Sequence, residues 1–572
     1  MKSSMPILCL APAMFFAAPL PAQQTSQYQS HPPLRPLPEA SSRPASAGPG
    51  RYVDAVKGSD ANDGTREQPW QTLSHAVRQL SAGDTLYLRG GTYYEHVKLT
   101  QSGQPGQPIT IRSYPGELVV LDGGFREFFE NPAGAWEPVS DGAKDEYRSR
   151  KSYPGLGAGG GNFGDSLVPL IRYKLCDMRS ANEYWRPGLG NQQESAIGIY
   201  FGPGLLWNQA TGRIHIRLSH TRLEGLGKRH YRGETDPRKI PIVVNQDQNA
   251  LRLENARHVR LQDLVLRGSS VPLSIAGSED IELDGLTIYA GSYGLQIGRT
   301  TKLRVVNTAF RGRAAPWHSR GHHKNRTSVG YLAIAEGDCH DFEFSFCEFT
   351  DHHDGVKLFR CDSVRFHHNV VDHLNDDGIE FSPLQAAGAW GTYHVYQNRI
   401  SRCQTTFSLH GGVPVDFDKP NGVYIYRNVI DLRQGLYKGV PDPDATAAGG
   451  PKAKMDRFDY PSRLLHEHGS PIYPPMFFYH NTILARENST EAQRGQYAQG
   501  AGSNGIARSR RRVFNNIVVQ PRGKHGYFFK TPNKDPLFKI PAGVDLAGRW
   551  ESLLEHRRRK GPSVHWPAFP LA

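Results

Sequence analysis

The 572-residue sequence has no internal apolar run close to the roughly 20 residues that a membrane-spanning helix needs. It has six cysteines, and no two of them show the Cys-x-x-Cys spacing that is typical of structural zinc sites. Long stretches with the period of amphipathic helices are missing as well. These absences argue against a helical membrane protein, a cysteine-ligated zinc protein and a helical repeat protein, and we expect the mature chain to be soluble.

Acidic residues are the scarcer charged class, because 55 Asp and Glu stand against 68 Lys and Arg and leave a net charge of +13. A cationic surface attracts acidic polymers, which include both polysaccharides and nucleic acids. Solvated basic segments such as Arg508–Arg512 and Arg557–Lys560 are the other explanation for this charge. The N-terminal pattern described next predicts export, which favours an acidic polysaccharide over nucleic acid as the partner. We also expect a monomer.

The N-terminus has the pattern of a secretory signal peptide. Lys2 supplies the positive charge, Met5–Leu20 is apolar, and Leu20-Pro21-Ala22 offers a small-residue cleavage site. The sequence therefore predicts a signal peptide over residues 1–22 and a periplasmic or extracellular location. Residues 23–50 are rich in Gln, Ser and Pro, which favours a flexible linker.

Cleavage of this segment would remove one cysteine and leave an odd number. The five that remain are Cys176, Cys339, Cys347, Cys361 and Cys403. At least one thiol is then free or intermolecular. A disulfide between Cys339 and Cys361 is one pairing that the sequence allows.

A recurring unit, apolar-x-x-residue-x-apolar, organises most of the chain. It begins as Leu261–Leu266, Leu283–Ile288 and Val305–Phe310, with steps of 22 residues between the first copies. Later copies are Phe344–Phe349, Phe366–Val371, Val395–Ile400, Ile425–Ile430, Phe478–Ile483 and Val513–Val518. A short repeat interrupted by insertions, in a chain with 60 Gly and 41 Pro, is typical of a solenoid of stacked coils joined by turns.

The fourth position of the unit changes along the chain. It is first occupied by Leu264, Leu286, Thr308 and Cys347, and then by Asn369, Asn398, Asn428, Asn481 and Asn516. Aligned asparagines can form a buried ladder, because each amide bonds its neighbour and the turn backbone. The pattern predicts an all-β fold, a parallel β-helix.

The start of the fold resembles that of secreted right-handed parallel β-helix proteins, including polysaccharide lyases. The residues that carry this resemblance are Tyr52–Asp54, Gly58–Thr65, Pro69–Leu73, Ala82–Thr85 and Gly91–Tyr93. The resemblance implies an amphipathic helix at Leu73–Leu80 that caps the open end of the stack. Pro108–Arg112 and Val119–Asp122 are then the first coils.

Four segments follow the linker in this interpretation. Residues 51–125 form the N-terminal cap and first coils, and residues 126–245, which break the repeat, form an inserted loop and β-strand excursion beside a groove. Residues 246–535 form the main parallel β-helix, and residues 536–572 form a basic tail.

Two successive coils match closely at their polar residues. They read His353-Asp-Gly-Val-Lys-Leu358 and Asp376-Asp-Gly-Ile-Glu-Phe381, so Asp354 should stack on Asp377. Because alternate side chains of a strand face opposite sides, Lys357 and Glu380 should point outward. The same alternation places Gln296 and Ala333 on that outward row.

A dense patch of ionisable side chains results. Its predicted members are Asp351, His352, His353, Asp354, Lys357, His373, Asp376, Asp377 and Glu380. The plainer interpretation is that the Asp-Gly pairs shape turns and that Lys357 and Glu380 form an exposed ion pair. The density of His and carboxylates over adjacent coils favours a functional site.

Three families with this fold show a similar patch. Asp354-Gly355, Asp376-Asp377 and His410-Gly411 resemble a series in polygalacturonase-type hydrolases. That resemblance implies that paired carboxylates protonate the leaving oxygen and activate water. The expected Arg-x-Lys of that family does not follow on the next strand.

Asp351-His-His-Asp354 resembles the Asp-Pro-His-Asp motif of mannuronan C5-epimerases, which implies proton transfer by His353. Polysaccharide lyases of this fold use a Lys or Arg base to remove the C5 proton of a uronate. By that resemblance Lys357 is the base, and Asp354, Asp376 and Asp377 hold Ca²⁺.

An inserted cationic loop enters just before the patch and suits an anionic sugar. Its predicted substrate-binding residues, with His410 from the later coil, are Trp317, His318, Arg320, His322, His323, Lys324 and Arg326. A solvated basic loop is the alternative. We predict a lyase acting on a uronate-containing polysaccharide, with an inverting hydrolase, a C5-epimerase and a non-catalytic glycan-binding protein as alternatives.

Overall fold

The structure is a computed structural model that describes most of the chain from residue 37 to residue 530. The described residues are 37–46, 48, 50–163, 167–173, 176–178, 198–200, 202–220, 230–315, 330–382, 391–410, 421–433, 462–468, 475–485, 511–522 and 526–530. The predicted signal peptide, most of the linker, the basic tail and the cationic loop lie outside the described residues.

A short helix, α1 (Leu73–Gln79), closes the N-terminal end of the fold, as predicted. Thr72 caps it by accepting a hydrogen bond from the His75 N–H. The two carboxylate oxygens of Glu95 accept from the backbone N–H groups of Leu73 and Ser74, both at 2.8 Å. Three residues of this helix are buried in the main core, namely Leu73, Ala76 and Val77.

Six strands form the first coils. They are β1 (Gly50–Val53), β2 (Thr85–Leu88), β3 (Gly91–Tyr93), β4 (Val97–Leu99), β5 (Ile109–Ser113) and β6 (Val119–Asp122). An inserted region follows, with two short helices, α2 (Arg126–Glu130) and α3 (Pro132–Ala135), and a 3₁₀ turn at Pro237–Lys239. Its strands are β7 (Trp136–Pro138), β8 (Glu146–Ser149), β9 (Gly160–Phe163), β10 (Leu167–Tyr173), β11 (Cys176–Asp177), β12 (Gly198–Ile199), β13 (Gly204–Asn208), β14 (Arg213–Arg217) and β15 (Ile242–Val244).

The main stack contains the remaining strands. As far as β28 they are β16 (Leu251–Glu254), β17 (Arg257–Gln262), β18 (Val265–Arg267), β19 (Leu273–Ala276), β20 (Glu279–Asp284), β21 (Thr287–Tyr289), β22 (Leu295–Gly298), β23 (Thr301–Val306), β24 (Ala309–Arg311), β25 (Tyr331–Ser345), β26 (Glu348–His352), β27 (Asp354–His367) and β28 (Val370–Ser382). The last are β29 (Tyr393–Tyr396), β30 (Arg399–His410), β31 (Val423–Tyr426), β32 (Val429–Asp431), β33 (Arg463–His468), β34 (Met476–Tyr479), β35 (Thr482–Leu484), β36 (Arg511–Phe514), β37 (Ile517–Arg522) and β38 (Gly526–Lys530).

These strands stack as the three sheets of a parallel β-helix. Sheet 1 runs through β1, β2, β5, β17, β20, β23, the second halves of β25 and β27, β29, β31, β34 and β36. Sheet 2 runs through β3, β6, β18, β21, β24, β26, the first halves of β28 and β30, β32, β35 and β37, and β38 pairs antiparallel at its end. Sheet 3 runs through β4, β16, β19, β22, the first halves of β25 and β27, the second halves of β28 and β30, and β33. The predicted parallel β-helix is therefore confirmed.

The asparagine ladder forms at the turn between sheets 1 and 2, as the repeat predicted. The side-chain oxygen of Asn428 accepts from both the backbone N–H and the side-chain amide of Asn398, at 3.0 and 2.9 Å. The side-chain nitrogen of Asn428 in turn donates to the Val395 carbonyl at 2.9 Å and to the Asn481 side chain at 3.0 Å. Each buried amide is satisfied by its neighbours, so the ladder fixes the stacking register.

The inserted region between β6 and β16 forms its own small sheet. Strands β15, β9, β10, β13, β14, β8 and β7 lie side by side in that order, over a separate apolar cluster that includes Phe128 and Trp136. The insertion contacts sheet 2 where Phe129 packs on the Arg267 guanidinium, 4.5 Å from the ring centroid. Arg267 is buried and pairs with Asp122 at 2.6 Å.

Cys339 and Cys361 are in-register neighbours in sheet 1, but their buried thiols form no disulfide, so the pairing considered from the sequence is wrong for this structure. The Cys361 thiol lies 3.4 Å from the Phe359 carbonyl oxygen, and the Cys339 thiol lies 3.7 Å from that of Gly337. Each thiol thus contacts the turn of its own coil. Among the residues that the structure describes, no helix has the length and apolar character needed to cross a membrane.

Candidate functional site

The candidate site lies where the chain turns from sheet 2 into sheet 3. Here β28 carries one residue more than the coil before it, because His352 pairs with Leu374 whereas Val356 pairs with Ile379. The next coil shows the same irregularity, with a register shift between Leu374 and Asp377. The extra residue is a β-bulge at Asn375–Asp376, a feature that re-aims side chains next to active sites.

Beyond the bulge the two coils stack as the sequence predicted. Lys357 pairs with Glu380 on the outward row, and the Asp377 N–H donates to the Asp354 carboxylate at 2.9 Å. Val356, Leu358, Ile379 and Phe381 are all buried in the main core. Ser408 follows Glu380 on the next coil and continues the row.

The outward row was predicted wrongly one coil earlier. Gln296 pairs with Ile334, whereas Ala333 pairs with Leu295 and lies in the main core. Leu332, Ala333 and Ile334 are all apolar, so the alternation of polar and apolar residues does not reveal which of them faces outward.

Lys357 is held by one carboxylate and two aromatic rings. Its Nζ lies 2.7 Å from a carboxylate oxygen of Glu336. The same atom lies 4.2 Å from the centroid of the Phe359 ring and 5.2 Å from that of Tyr331. These contacts fix a flexible side chain that is 17% exposed, so the ammonium has a defined position on the surface of sheet 3.

Glu380 is buried beside this lysine and has two further polar contacts. The Tyr331 hydroxyl donates to one of its oxygens at 2.9 Å, and His410 Nε2 lies 3.3 Å from the other. Burial by itself raises the pKa of Glu380, but the His410 and Tyr331 contacts outweigh burial and lower the pKa. Burial and the nearby carboxylates raise the pKa of Tyr331, so its hydroxyl stays protonated and donates.

The pKa values of Asp354 and Asp377 are shifted in the opposite direction, upward. Both are buried, at 6% exposure each. Burial first, and then the charges of Asp376 and Glu380, raise the pKa of both carboxyl groups well above the ordinary value. The site therefore contains two carboxyl groups with raised pKa values, Asp354 and Asp377, beside one with a lowered pKa, Glu380.

His353 lies between two aspartates. Its Nε2 is 3.8 Å from an oxygen of Asp354 and 3.8 Å from an oxygen of Asp376. Its neighbour His352 contacts the other side of the corner, where Nε2 lies 3.1 Å from the Ser292 carbonyl oxygen. Burial and the Arg313 charge lower the pKa of His352 to about 3, so this imidazole is neutral.

Asp351 and His373, which the sequence also placed in the patch, pair with each other at 2.8 Å. Asp351 lies 3.4 Å from the buried Arg311 guanidinium, which belongs to the outward side of sheet 2. These two residues and His352 therefore form contacts separate from those of Lys357 and Glu380.

Among the residues that the structure describes, the spacing of ligand atoms in two overlapping groups could accommodate a metal ion. One contains His353, Asp354 and Asp376, and the other contains Asp354, Asp377 and Glu380. Within each group the ligand atoms lie within 4.8 Å of one another, and all five residues are buried. The three aspartates predicted as Ca²⁺ ligands are thus divided between two groups that share Asp354.

Of the predicted substrate-binding residues, the structure brings His410 to the site. The others, Trp317, His318, Arg320, His322, His323, Lys324 and Arg326, lie outside the described residues. Sequence reasoning missed Tyr331, Glu336 and Phe359. The 23-residue spacing that aligned Asp354 with Asp377 also aligns Tyr331 with Asp354, so this signal was present.

Comparison with known proteins identifies the type of β-helix. Residues 51–134 match the family model described as Pel9A-like, right handed beta helix region, and residues 249–430 match the model described as right handed beta helix region. The chain is therefore a right-handed parallel β-helix, with a Pel9A-like region at its start. The prediction of the family type from the opening residues is confirmed.

Two curated proteins are similar to a short part of the chain. The uncharacterized protein YwoF of Bacillus subtilis is 47% identical over 72 residues, which are 13% of this chain and 15% of YwoF. Pectate lyase PEL9 of Emericella nidulans is 46% identical over 68 residues, 12% of this chain and 17% of PEL9. The chain thus spans less than a fifth of the length of these relatives.

One similar solved structure is the crystal structure of pectate lyase Pel9A. It is 13% identical to this chain, with a TM-score of 0.36, and the alignment covers 77% of each chain.

Proposed function

We propose that this protein is an exported carbohydrate-active enzyme that cleaves a uronate-containing polysaccharide by β-elimination. The observation that carries the proposal is the in-register pairing of Lys357 with Glu380, beside the buried carboxylates Asp354 and Asp377. A lyase needs a cationic or basic group at the sugar and a means of neutralising the uronate carboxylate. The local match to a Pel9A-like region supports this class of activity.

In the proposed reaction the Lys357 ammonium first releases a proton to solvent, and the neutral amine then removes the C5 proton of a bound uronate. The electron pair of the C5–H bond forms the C4–C5 double bond, the bond from C4 to the glycosidic oxygen breaks, and the leaving oxygen takes a proton from solvent water. Glu336, Phe359 and Tyr331 position the Lys357 amine at the surface of sheet 3. A base acts only when it is held within hydrogen-bond reach of the proton that it removes.

The donor set of the second metal group fits a hard cation. Asp354, Asp377 and Glu380 offer only oxygen ligands, which Ca²⁺ prefers. Asp376, the third aspartate predicted from the sequence, adjoins this group. A Ca²⁺ ion bound there would supply positive charge for the uronate carboxylate.

A metal-independent glycoside hydrolase is the second candidate. The raised pKa of Asp377 favours it, because a carboxyl group that stays protonated can act as a general acid. The spacing argues against inversion, since the grouped oxygens of Asp354 and Asp377 lie within 4.8 Å of each other. Inverting hydrolases separate their two carboxyl groups by about 6.5–9.5 Å to admit water.

The site also bears on the two remaining alternatives. In a C5-epimerase, His353 would move the C5 proton without chain cleavage, and its Nε2 lies 3.8 Å from carboxylate oxygens of both Asp354 and Asp376. A non-catalytic glycan-binding protein would have no need of buried carboxyl groups with opposed pKa shifts, which are typical of reacting sites.

The test is a screen of the purified full-length mature protein against polygalacturonate, alginate and neutral polysaccharides, with added Ca²⁺ or with EDTA. Ultraviolet absorbance and new reducing ends are recorded together. The proposal predicts that both increase on a uronate polymer and that EDTA suppresses them. Reducing ends without absorbance would establish the hydrolase, and binding without either signal would establish a glycan-binding protein.

A further inference from the structure

The outward row of sheet 1 changes its chemistry along the stack. In the earlier coils it alternates in charge, because successive strands place these residues in register: Arg260, Glu282, Arg304, Glu343 and Arg365. Arg304 lies 3.6 Å from Glu282 and 3.9 Å from Glu343, and Arg365 lies 3.3 Å from Glu343. This part of the sheet therefore has the charged surface that is usual where a protein meets water.

From β29 onward the same side of sheet 1 is aromatic. Two parallel columns of half-buried rings form what we call the aromatic face, with His394, Tyr424 and Phe477 in one column and His367, Tyr396, Tyr426 and Tyr479 in the other. Consecutive rings within a column have centroids 4.4 to 5.1 Å apart. The columns meet where His394 contacts Tyr426, with centroids 6.1 Å apart. A contiguous apolar surface of this kind marks an interaction site in a soluble protein.

The stacking covers the ring faces and leaves the ring edges outward. The interplanar angle is 6° between Tyr396 and Tyr426, and 5° between Tyr426 and Tyr479. In the other column it is 4° between Tyr424 and Phe477. The edge of an aromatic ring carries partial positive charge, and a tyrosine hydroxyl both donates and accepts hydrogen bonds. The aromatic face therefore suits a ligand rich in oxygen atoms better than an aliphatic protein surface.

The charge beside the columns favours an acidic ligand. The turn residues that directly follow β29, β31 and β34 are Gln397, Arg427 and His480, and neither these positions nor the outward positions of the three strands hold Asp or Glu. Arg427 is exposed, and its positive charge acts on Tyr426 and Tyr479. A second copy of the protein would bring another Arg427 to this face and no carboxylate for it, whereas an acidic polymer supplies carboxylates.

We propose that the aromatic face of sheet 1 is a second binding surface for an acidic polysaccharide, separate from the reacting surface on sheet 3. The inference rests on the proposed function for the class of ligand. Successive rings advance along the stack by one coil, about 4.8 Å, which is close to the length of one sugar unit in an extended polymer. A chain that lies along the columns repeats the same contacts, and Arg427 pairs with a uronate carboxylate. The face thereby raises the local concentration of polymer at the enzyme.

The test is affinity electrophoresis of the full-length mature protein in gels that contain polygalacturonate, alginate or neutral dextran, with a polymer-free gel as reference. Every protein carries Lys357→Ala, so that the polymer stays intact. Tyr396→Ala combined with Tyr426→Ala should weaken binding of an acidic polymer at least about fivefold. Arg427→Gln should weaken it about threefold. Tyr52→Ala, which removes a stacked ring from the first coil of the same sheet, should bind as tightly as the parent.

Thermal unfolding shows whether each variant is folded, and the exposed substitution Arg427→Gln provides the test if the double tyrosine variant does not fold. Unchanged affinity in the folded variants would overturn the proposal, as would the absence of retardation by both acidic polymers or equal retardation by dextran. A dimer that dissociates in the double variant, measured by sedimentation, would place a second copy on this face and would also overturn it.

Cleavage of a uronate polymer is recorded separately by ultraviolet absorbance, with protein in which Lys357 is intact. Binding that depends on the aromatic face, without any cleavage, would refute the lyase and support this surface. Cleavage together with binding that does not depend on the aromatic face would refute this surface and support the lyase.

Discussion

Lys357 and Glu380 are in-register neighbours on adjacent coils, and their side chains occupy the same outward row of sheet 3. The two residues have different partners, because Lys357 pairs with Glu336 at 2.7 Å whereas Glu380 accepts from the Tyr331 hydroxyl at 2.9 Å. The Lys357 ammonium therefore lies beside the Glu380 carboxylate, but each of the two groups has a different residue as its main partner. A substrate carboxylate and a reacting C–H can meet both groups at this surface.

Replacing Lys357 by alanine should reduce uronate cleavage at least about 100-fold, because general-base removal typically costs that much or more. The measurement is kcat/KM from ultraviolet absorbance. Lys302→Ala is the matched control, since Lys302 is an exposed lysine with a carboxylate partner, Glu279, at 3.5 Å. Full activity in Lys357→Ala would remove this residue as the base.

Tyr331→Phe removes the hydroxyl that donates to Glu380 but keeps the ring beneath Lys357. We expect kcat to decrease about tenfold with a smaller change in KM, since a hydrogen bond to a charged group contributes roughly 1.5–3 kcal/mol. Tyr293→Phe is the control, because the Tyr293 ring stacks on Tyr331 with centroids 6.3 Å apart. Equal kcat in both variants would show that the hydroxyl does not position Glu380.

Asn428→Ala should lower the free energy of unfolding by more than about 2 kcal/mol, because it leaves several buried ladder groups without partners. Denaturant unfolding followed by circular dichroism measures the change. Gln296→Ala removes an exposed amide from sheet 3 and should stay within about 0.5 kcal/mol of wild type. Similar losses in the two variants would contradict a structural role for the ladder.

The inserted region should respond to acid through His220. Burial, together with the His230 and Arg217 charges, lowers the pKa of His220 to about 3. Its Nε2 accepts a hydrogen bond from the Tyr231 N–H at 3.0 Å. The unfolded chain takes up a proton near pH 6.5, so stability that is present above this pH is lost as the pH falls towards 3.

Between pH 7 and pH 5 the His220 contribution should amount to about 1–2 kcal/mol of lost stability, allowing for partial exposure of the ring. Unfolding midpoints at both pH values, for wild type and His220→Gln, measure it. The variant keeps a side-chain acceptor but cannot titrate, so it should lose less stability on acidification. An identical pH dependence in the two proteins would contradict the assignment.

The fold was predictable because the same position of the repeated sequence unit falls at the same place in successive coils. Asn369, Asn398 and the later ladder residues occupy the same position of the unit, and a buried amide at every coil requires stacking. The same logic predicted the pairing of Lys357 with Glu380, since the 23-residue spacing between Asp354 and Asp377 continues through this pair.

Features that depend on irregular coils were not predictable in the same way. The bulge at Asn375–Asp376 is visible only when the registers of three coils are compared. Alternation along the strand predicts Ala333 outward, but this residue follows a long insertion and has apolar neighbours on both sides, so neither spacing nor alternation fixes its register. Tyr331 could have been placed, because the 23-residue spacing that aligns Asp354 with Asp377 also aligns Tyr331 with Asp354.

The central claim is tested most directly by the mass of the products from a uronate polymer cut by the wild-type protein. Elimination uses no water, so each new non-reducing end is an unsaturated uronate, and the oligomer is lighter by one water than its hydrolytic counterpart. The proposed reaction predicts these lighter oligomers, together with ultraviolet absorbance that disappears in Lys357→Ala. Oligomers of full hydrolytic mass without absorbance would contradict it and assign the carboxylates to hydrolysis.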